Sequence, residues 1–462
     1  MHDDALFGSK YDRQLRLWNI DGQNALSAAR VLLVNVSAAA AETLKNLVLP
    51  GVSHIDILDN GVVTDSDVSA NFFLPNGTQG KSRATVLAEN LQPLNPEVTL
   101  TPLTNNNFDI DSLPLNEYTL VIFSSNISTT ADLPSLAAKL HRYSIPLVVI
   151  DSLGFYAYIS VHLPNDRLIL QTHSQIPPDL RINSPWPELA DYIDKTDTLS
   201  NVPYAIFLAK LYQPGDTPSQ LRSKIANVQT SYEDTDNVAN FTEARNKAHL
   251  ALADPSHLSE DLITVFNDKV AKPPFEKSTL IQWILIAALH RFYQQFHTLP
   301  LTGELPDMEA STDAYMSLKS LHEEKAASDF NIFHFYVKEI LQSLHRSDDE
   351  VDLTLLRSFI RNCRRIKLQV AVPWTQPDLS STNQIYASFA RLYTTYDNTP
   401  PSPEFIELNR ANGKELHNIA AIIGGIAAQE IVKIITQQYI PIDNGVVFDG
   451  IQGKTISFST LS

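Results

Sequence analysis

Cysteine is nearly absent, since Cys363 is the one thiol in a chain of 462 residues. A disulfide framework needs pairs of cysteines, so the sequence excludes the small disulfide-stapled folds. Zinc sites need cysteine and histidine at short spacing, and the chain has no such cluster, so no metal is expected. The N-terminal sequence MHDDALFGSK has neither the charge nor the apolar core of a signal peptide. We therefore expect a cytoplasmic or nuclear protein.

Positive charge is also scarce, because 35 lysines and arginines face 52 aspartates and glutamates, which gives a net charge of -17. A negative protein repels phosphate backbones and anionic lipid headgroups, so neither nucleic acid nor membrane is expected as a partner. The surplus of negative charge fits either a basic protein partner or a role in solubility alone. The longest apolar run, around residues 419–428, is interrupted by Gly424-Gly425 and is too short to span a membrane.

Glycine is missing where a nucleotide-binding unit needs it. An apolar β-rich run at residues 31–34 leads into a helix-forming stretch, a Pro50-Gly51 turn and a second β-rich run that ends at Asp59. This order is typical of the first βαβ unit of a doubly wound nucleotide-binding sheet, with an acidic residue at the ribose position. The loop at residues 35–41 nevertheless reads NVSAAAA.

A phosphate loop uses glycine so that backbone N–H groups can approach oxygen without interference from Cβ. The four alanines at 38–41 add methyl groups to that space and are good helix formers. We therefore predict that the helix extends toward the strand and closes the pocket. Without a phosphate loop, Asp59 is either a structural hydrogen-bonding residue or a ribose ligand.

The rest of the chain predicts an α/β fold interrupted by helices. Strands and helices alternate over residues 1–171, which predicts a doubly wound, mostly parallel sheet preceded by a helix with Tyr11, Leu15, Trp18 and Ile20 on one face. Residues 172–400 lose the β-rich pattern and predict an all-helical insertion, and residues 401–462 return to the first domain. The helical segments of the insertion are 201–213, 219–228, 237–252, 258–267, 278–297, 314–345 and 351–365.

Several motifs in order resemble the ubiquitin-like-protein-activating enzyme family. They are YDRQLRLW at 11–18, NLVLPGV at 46–52, ANFFL at 70–74, GKSRA at 80–84 and ELHNIAAIIGGIAAQEIVKIIT at 415–436. The chain is similar in particular to the non-catalytic, regulatory half of the heterodimeric enzymes. Two phrases of the insertion, at 184–193 and 299–326, resemble the regulatory subunits of the neddylation (Rub-type) branch.

The resemblance implies an adenylation-type domain that has lost its chemistry. The family's catalytic half carries a glycine-rich loop, an Asp-x-Asp pair and an Asn-x-x-Arg-Gln constellation that hold magnesium-ATP and the acyl-adenylate. In this chain those positions read Asn35, Ser37, Ala38 and Ala40 for the four glycines, Gly61 for the second Asp, and Ala70 and Asn71 for the Arg and Gln. The chain is therefore not expected to bind a cofactor or to adenylate alone.

The partner would supply the chemistry. The resemblance implies a catalytic subunit that binds ATP and Mg²⁺, adenylates the C-terminal glycine of a Rub-type ubiquitin-like modifier, and then forms a thioester on its own cysteine. Cys363 of this chain lies in a helical pattern, RNCRRIK, and is interpreted as structural although its arginine neighbours could lower a thiol pKa.

Arg13 is the candidate catalytic residue. From its sequence context alone, Arg13 would form a salt bridge on a surface helix. The resemblance implies instead that it reaches across the heterodimer to phosphates of ATP held by the partner, where a guanidinium offers a fixed fork of donors. Arg16, three residues further on, is interpreted as structural.

The partner interface is predicted around residues 51–68 and 301–308, together with the doubled glycine, whose helix would need close backbone approach by another element. The residues assigned to it are Gly51, Asp59, Val68, Pro185, Trp186, Leu301, Gly303, Pro306, Asp307, Met308, Gly424 and Gly425.

Three alternatives stay open. A pyridine-nucleotide oxidoreductase would need a G-x-G-x-x-G loop, which the chain lacks. A pure scaffold would make no catalytic contact through Arg13. The Sumo-type regulatory subunit is shorter because it lacks most of the helical domain.

Overall fold

The computed structural model describes residues 10–104, 113–124, 133–173, 175–232, 238–375, 383–392 and 401–458. The chain divides into two compact units. An α/β unit comprises Met1–Ile169 and Gln369–Ser462, and a helical unit comprises Leu170–Leu368. The helical unit is therefore inserted into the sequence of the α/β unit.

A mostly parallel sheet is the frame of the α/β unit. Eight strands form this sheet within the described residues, in the order β10-β9-β6-β5-β4-β1-β2-β3. The strands of the chain are β1 (Arg30–Val34), β2 (His54–Leu58), β3 (Thr99–Leu103), β4 (Leu120–Ser124), β5 (Leu147–Leu153), β6 (Tyr156–His162), β7 (Arg167–Ile169), β8 (Lys367–Gln369), β9 (Gly445–Asp449) and β10 (Lys454–Phe458).

The strand order reverses direction at β1. Strand β1 pairs in parallel with β2 on one side and with β4 on the other, and β2–β3 and β4–β5 are also parallel. Strands β6, β9 and β10 add an antiparallel edge. This arrangement confirms the predicted doubly wound α/β fold and places a topological switch point beyond the carboxyl ends of β1 and β4.

Helices cover the sheet, and a polar side chain caps the N-terminus of several of them, such as Ser37, Thr64 and Ser82. The helices of the α/β unit are α1 (Asp12–Ala28), α2 (Ala38–Val48), α3 (Asp65–Ala70), α4 (Arg83–Leu91), α5 (Leu133–Arg142), α14 (Gln384–Leu392), α15 (Pro403–Ala411) and α16 (His417–Thr436). Those of the helical unit are α6 (Pro187–Lys195), α7 (Tyr204–Leu211), α8 (Pro218–Gln229), α9 (Val238–Lys247), α10 (Glu260–Asn267), α11 (Ile281–Phe296), α12 (Thr312–Ser343) and α13 (Leu353–Asn362).

Helix α1 is kinked, which corrects the single apolar face expected for it. Asn19 has φ 50° and ψ -169°, outside the helical region. Tyr11 and Trp18, before the kink, are buried, whereas Ile20, after it, is exposed. The single face expected for Trp18 and Ile20 assumed a regular helix, but the regular helix is interrupted at Asn19.

The long helix α16 packs against α2 in the core of the α/β unit. A Cβ atom at Gly424 would lie 2.7 Å from Cβ of Glu42 and 2.8 Å from the carbonyl oxygen of Ala39, so this glycine is where the two backbones meet. By length and composition α16 could cross a membrane, contrary to the expectation from the sequence, but 67% of its most apolar 18-residue stretch is buried in the unit, as in a core helix. The close approach inferred for the two glycines is therefore made at Gly424 by the chain itself, whereas no described residue outside α16 lies within 4 Å of a Cβ at Gly425.

The helical unit has its own core. Fully buried Tyr204, Phe207 and Phe241 pack there with Leu301 from the segment before α12. Helices α7 to α13 lie within the segments expected from the sequence or extend them by one or two residues. Helix α6 was not expected, and Pro187 at its first turn fits the preference for proline there.

The return to the α/β unit comes earlier than the sequence indicated. The units divide after Ile169 and after Leu368, whereas the expected insertion ran from residue 172 to 400. The physical reason is α14, whose Tyr386 and Phe389 pack on Tyr158 of β6 with ring centroids 5.2 and 5.0 Å apart. A short helix with an apolar face gives no sequence signal of which unit it covers.

The two neighbouring glycines of α16 provide a matched test of this packing. Gly424→Ala should lower the free energy of unfolding by about 1–3 kcal/mol, because its Cβ overlaps α2. Gly425→Ala should raise it by up to about 1 kcal/mol, because nothing lies within 4 Å of its Cβ and alanine favours helix. Urea unfolding curves give both values, and equal effects of the two substitutions would contradict the packing described.

Candidate functional site: a pocket filled by its own charges

The switch point of the sheet is where a doubly wound fold binds its ligand. The turn after β1 reaches it with Asn35, whose backbone has φ 67°, the left-handed region. The Asn35 side chain donates to the carbonyl oxygen of Ser124 at the end of β4, at 3.1 Å. Asparagine tolerates this conformation better than most residues. The turn that glycine would normally make is therefore built by Asn35.

Helix α2 begins at the switch point, and its free backbone N–H groups are satisfied within the chain. Ser37 caps the helix, and its hydroxyl oxygen accepts from the N–H of Ala40 at 3.0 Å. The hydroxyl of Ser124 donates in turn to Ser37 at 2.6 Å. The N–H of Val36 donates to Asp59 at 2.7 Å. Two further N–H groups, those of Ala38 and Ala39, point toward the place where a phosphate would bind.

The carboxylate of Glu415 occupies that place. One of its oxygens accepts from the N–H of Ala38 at 2.6 Å and the other from the N–H of Ala39 at 3.1 Å. The positive end of a helix dipole favours an anion at this position. Burial nevertheless raises the pKa of Glu415 to about 7, and the two N–H donors only partly oppose that effect. An internal carboxylate thus stands where nucleotide-binding relatives of this fold hold phosphate.

A positive charge fills the neighbouring space. The guanidinium of Arg83 pairs with Asp59 at 3.1 Å, and both side chains are buried. A Cβ atom at Gly61 would lie 2.4 Å from Nη2 of Arg83, so the guanidinium takes the volume in which a side chain at 61 would begin. Asp59 also accepts from the N–H of Gly61 at 2.6 Å. All of this identifies Asp59 as a structural hydrogen-bonding residue.

The pocket is therefore filled by charged side chains of the chain itself, the carboxylates of Glu415 and Asp59 and the guanidinium of Arg83. The closed pocket predicted from residues 35–41 is what the structure has, but the alanines are only part of the cause. Glu415 and Arg83, which fill it, were not identified from the sequence. Both residues nevertheless lie in motifs that resemble the family, since Glu415 begins the 415–436 motif and Arg83 lies in GKSRA. Asn71 is used structurally as well, because it is buried and donates to the carbonyl oxygen of Ser37 at 3.3 Å.

Arg13 lies away from this pocket, on the exposed side of α1. Its neighbour Arg16 pairs with Asp12 at 3.0 Å, whereas Arg13 makes no ion pair with any residue that the structure describes. Tyr11 anchors the start of α1, because its buried ring packs against Gly51. A Cβ atom at Gly51 would lie only 2.7 Å from the hydroxyl oxygen of Tyr11. The helix is thus fixed while the Arg13 side chain is left facing outward.

Five of the residues predicted to contact a partner are buried in the chain's own units, which corrects the prediction for them. Asp59, Trp186 and Leu301 expose less than a tenth of their surface, and Gly51 and Gly424 are buried too. These residues pack within the chain itself. For example, Gly51 packs against Tyr11 and Gly424 packs against α2. Asp307 is exposed, and the half-buried remainder comprises Val68, Pro185, Gly303, Pro306, Met308 and Gly425.

Cys363 is inert, as its sequence pattern indicated. The residue is 1% exposed, and burial raises the pKa of its thiol to about 11. The positive charge of Arg364 lowers this pKa but by less than burial raises it. A thiol that stays protonated at neutral pH cannot act as a thioester acceptor.

The raised pKa of Glu415 predicts a pH dependence of stability. Its pKa is about 7 in the folded chain and near 4.5 when exposed, so the folded state binds the proton more tightly. The stabilising effect is complete below about pH 4.5 and is lost as the pH rises through 7. Between pH 5 and 7.5 the wild type should lose about 1–3 kcal/mol of unfolding free energy relative to Glu415→Gln.

Urea unfolding at several pH values tests this prediction. The free energy of unfolding should fall more steeply with pH in the wild type than in Glu415→Gln. The comparison is of slopes rather than absolute stabilities, because the amide nitrogen in Glu415→Gln cannot accept from a helix N–H as a carboxylate oxygen does. Glu89→Gln, an exposed carboxylate outside the pocket, is the control for the change in net charge. Parallel pH profiles of the wild type and Glu415→Gln would mean that the carboxylate is not buried against the helix.

The chain is similar to known proteins over nearly its whole length. Residues 11–461 match the model of the ThiF family. The chain is 30% identical to the Nedd8-activating enzyme E1 regulatory subunit of Drosophila melanogaster, over 97% of this chain and 96% of that protein. It is 27% identical to the NEDD8-activating enzyme E1 regulatory subunit AXR1 of Arabidopsis thaliana, over 97% and 95%.

The protein of that name from Saccharomyces cerevisiae is 28% identical, over 97% of this chain and 99% of that one. Among solved structures, E. coli MccB with ATP aligns at a TM-score of 0.30 and 16% identity, over 34% of this chain and 49% of that chain; no conclusion rests on this likeness. The match across nearly the whole chain shows that this protein belongs to the ThiF family, in its group of NEDD8-activating enzyme E1 regulatory subunits.

Proposed function

We propose that this chain is one half of a heterodimer whose catalytic partner does the chemistry. The partner binds ATP and Mg²⁺, adenylates the C-terminal glycine of a NEDD8-like, Rub-type modifier, and carries the thioester on its own cysteine. The observation that supports this division of labour is Glu415, which fills the phosphate position of α2 in this chain. A unit whose anion site is filled internally has no place for nucleotide, but it keeps the fold that pairs with an active homologue.

The surface that supports the pairing is apolar and lies on the α/β unit. Leu17 and Ile20 of α1 are 53% and 51% exposed. Leu17 lies one turn after Arg13, so the two side chains share a helix face. Phe72 is 74% exposed and packs beside His417 with ring centroids 6.2 Å apart. Large apolar side chains of this kind are typical of obligate interfaces.

Arg13 would then act in trans. Tyr11 anchors α1, and Arg13 makes no ion pair with a described residue. The guanidinium of Arg13 is therefore available to a ligand held by another chain. A bidentate fork at a phosphate stabilises negative charge in the adenylation transition state. Arg13 is a catalytic residue in this proposal because it touches the nucleotide of the partner.

Two alternatives have less support. A pure scaffold would need no cation on this face, yet Arg13 is exposed beside Leu17 and makes no ion pair with a residue that the structure describes. A Sumo-type subunit would lack most of a helical unit like Leu170–Leu368. Reconstitution with each kind of catalytic partner distinguishes the two pathways.

The Arg13→Ala variant of the reconstituted heterodimer tests the proposal. The substitution should slow modifier-dependent ATP–pyrophosphate exchange by roughly ten- to a thousand-fold, partly through weaker apparent ATP affinity. Arginine fingers that contact a transferring phosphoryl group are worth about 10³ to 10⁵ in rate, and a contact further from the broken bond should matter less. Arg13→Lys should restore only part of the rate, because a point charge does not replace the fork.

Two control variants separate catalysis from assembly. Arg16→Ala should leave the exchange rate nearly unchanged, since Arg16 is paired with Asp12. Leu17→Asp should weaken the one-to-one complex in gel filtration, whereas Arg13→Ala should leave it intact. An intact complex in which Arg13→Ala exchanges pyrophosphate within about threefold of the wild type would assign the subunit a scaffold role.

A further inference from the structure

A groove in the helical unit is not used by the function proposed above. It has a volume of about 330 Å³ and lies between residues 176–179, residues 300–306 and three arginines in the last turn of α13 and just after it. Those arginines are Arg361, Arg364 and Arg365. We call it the arginine groove.

The walls of the arginine groove are chain segments without regular secondary structure. Neither 176–179 nor 301–306 belongs to a helix or strand. Among the described residues, the backbone N–H groups of Ile176, Asp179 and Leu305 donate to no other group of the protein. Backbone N–H groups without a partner inside the protein can donate to the backbone of a bound peptide.

The groove carries one positive charge that no residue described by the structure neutralises. Arg364 donates to Asp179 at 2.5 Å, and Arg361 donates to Glu304 at 2.8 Å. Arg365 is half-buried and forms no ion pair with a described residue. Three arginines against two carboxylates leave a charge of +1 in the groove, within a chain of net charge -17.

Apolar surface flanks this charge. Pro177 is exposed, and Pro178, Leu305 and Pro306 are half-buried along the groove. Proline rings keep their conformation, so the walls are fixed before a ligand arrives. A guanidinium between such surfaces fits a carboxylate next to a small apolar side chain.

A second groove on the other side of residues 176–182 does not have this character. Its volume is about 420 Å³, and its charged residues balance, since Asp179 and Asp254 face Arg181 and Arg364. Both of its arginines already donate to Asp179. The uncompensated cation is thus specific to the arginine groove.

We propose that the arginine groove binds an extended acidic peptide segment of a partner protein. The peptide backbone would lie along residues 176–179 and 302–306, with one carboxylate on Arg365 and neighbouring apolar side chains against Pro178 and Leu305. A charge-assisted, bidentate pair gives the site its selectivity for Asp or Glu over neutral residues.

The test uses the reconstituted heterodimer and a phage-displayed library of random dodecapeptides. Selected peptides should contain Asp or Glu beside Leu or Pro. Synthesised and measured by fluorescence polarisation, they should bind Arg365→Glu at least about tenfold more weakly than the wild type. Lys367→Glu is the matched control, because it makes the same charge change two residues away, outside the groove, and should lose less than about threefold.

Two further measurements keep the test independent of folding. Arg365→Lys should bind more tightly than Arg365→Glu but more weakly than the wild type, because lysine keeps the charge and loses the bidentate fork. The peptide should also slow hydrogen exchange at residues 176–179 and 302–306 of the wild type. The proposal is overturned if selection yields no acidic sequences, or if Arg365→Glu and Lys367→Glu weaken binding equally. It is also overturned if assembly with the catalytic subunit alone protects these segments, because the groove is then part of that interface.

Discussion

The bond between Glu415 and the N-terminus of α2 is the constraint on which the α/β unit depends. It joins residues 377 positions apart, one before the helical insertion and one after it. With Glu415 fixed, the start of α16 is held against the switch point, and Gly424 lets the same helix lie on α2. The first βα turn and the returning chain are therefore one structure, although the sequence separates them by a whole unit.

The filled pocket shows how the helix N-terminus at the switch point of this fold is satisfied by side chains of the chain itself. An empty anion site would leave helix N–H groups unsatisfied and a carboxylate unpaired, each of which costs stability. Glu415 satisfies the N–H groups and Arg83 neutralises Asp59. Arg13 of α1 and the ring of Phe72 remain exposed on the outer surface of the unit, and we propose that they contact a second chain.

Local patterns in the sequence predicted the parts of this account that depend on neighbours along the chain. The alternation of apolar runs and helices gave the doubly wound sheet, and the alanines at 38–41 indicated a closed pocket. Glu415 could not be placed, because no local pattern shows which distant N–H groups a carboxylate meets. Similarly, Trp186 and Leu301 resembled interface residues as amino-acid types, but the packing of the helical unit buries them.

Calorimetric titration of the isolated chain with magnesium-ATP tests the filled pocket most directly. Because Glu415 already occupies the N–H groups of Ala38 and Ala39, the account predicts no saturable heat at millimolar nucleotide. Saturable binding at micromolar ATP would mean that the anion site of α2 is open to phosphate, and would contradict the account.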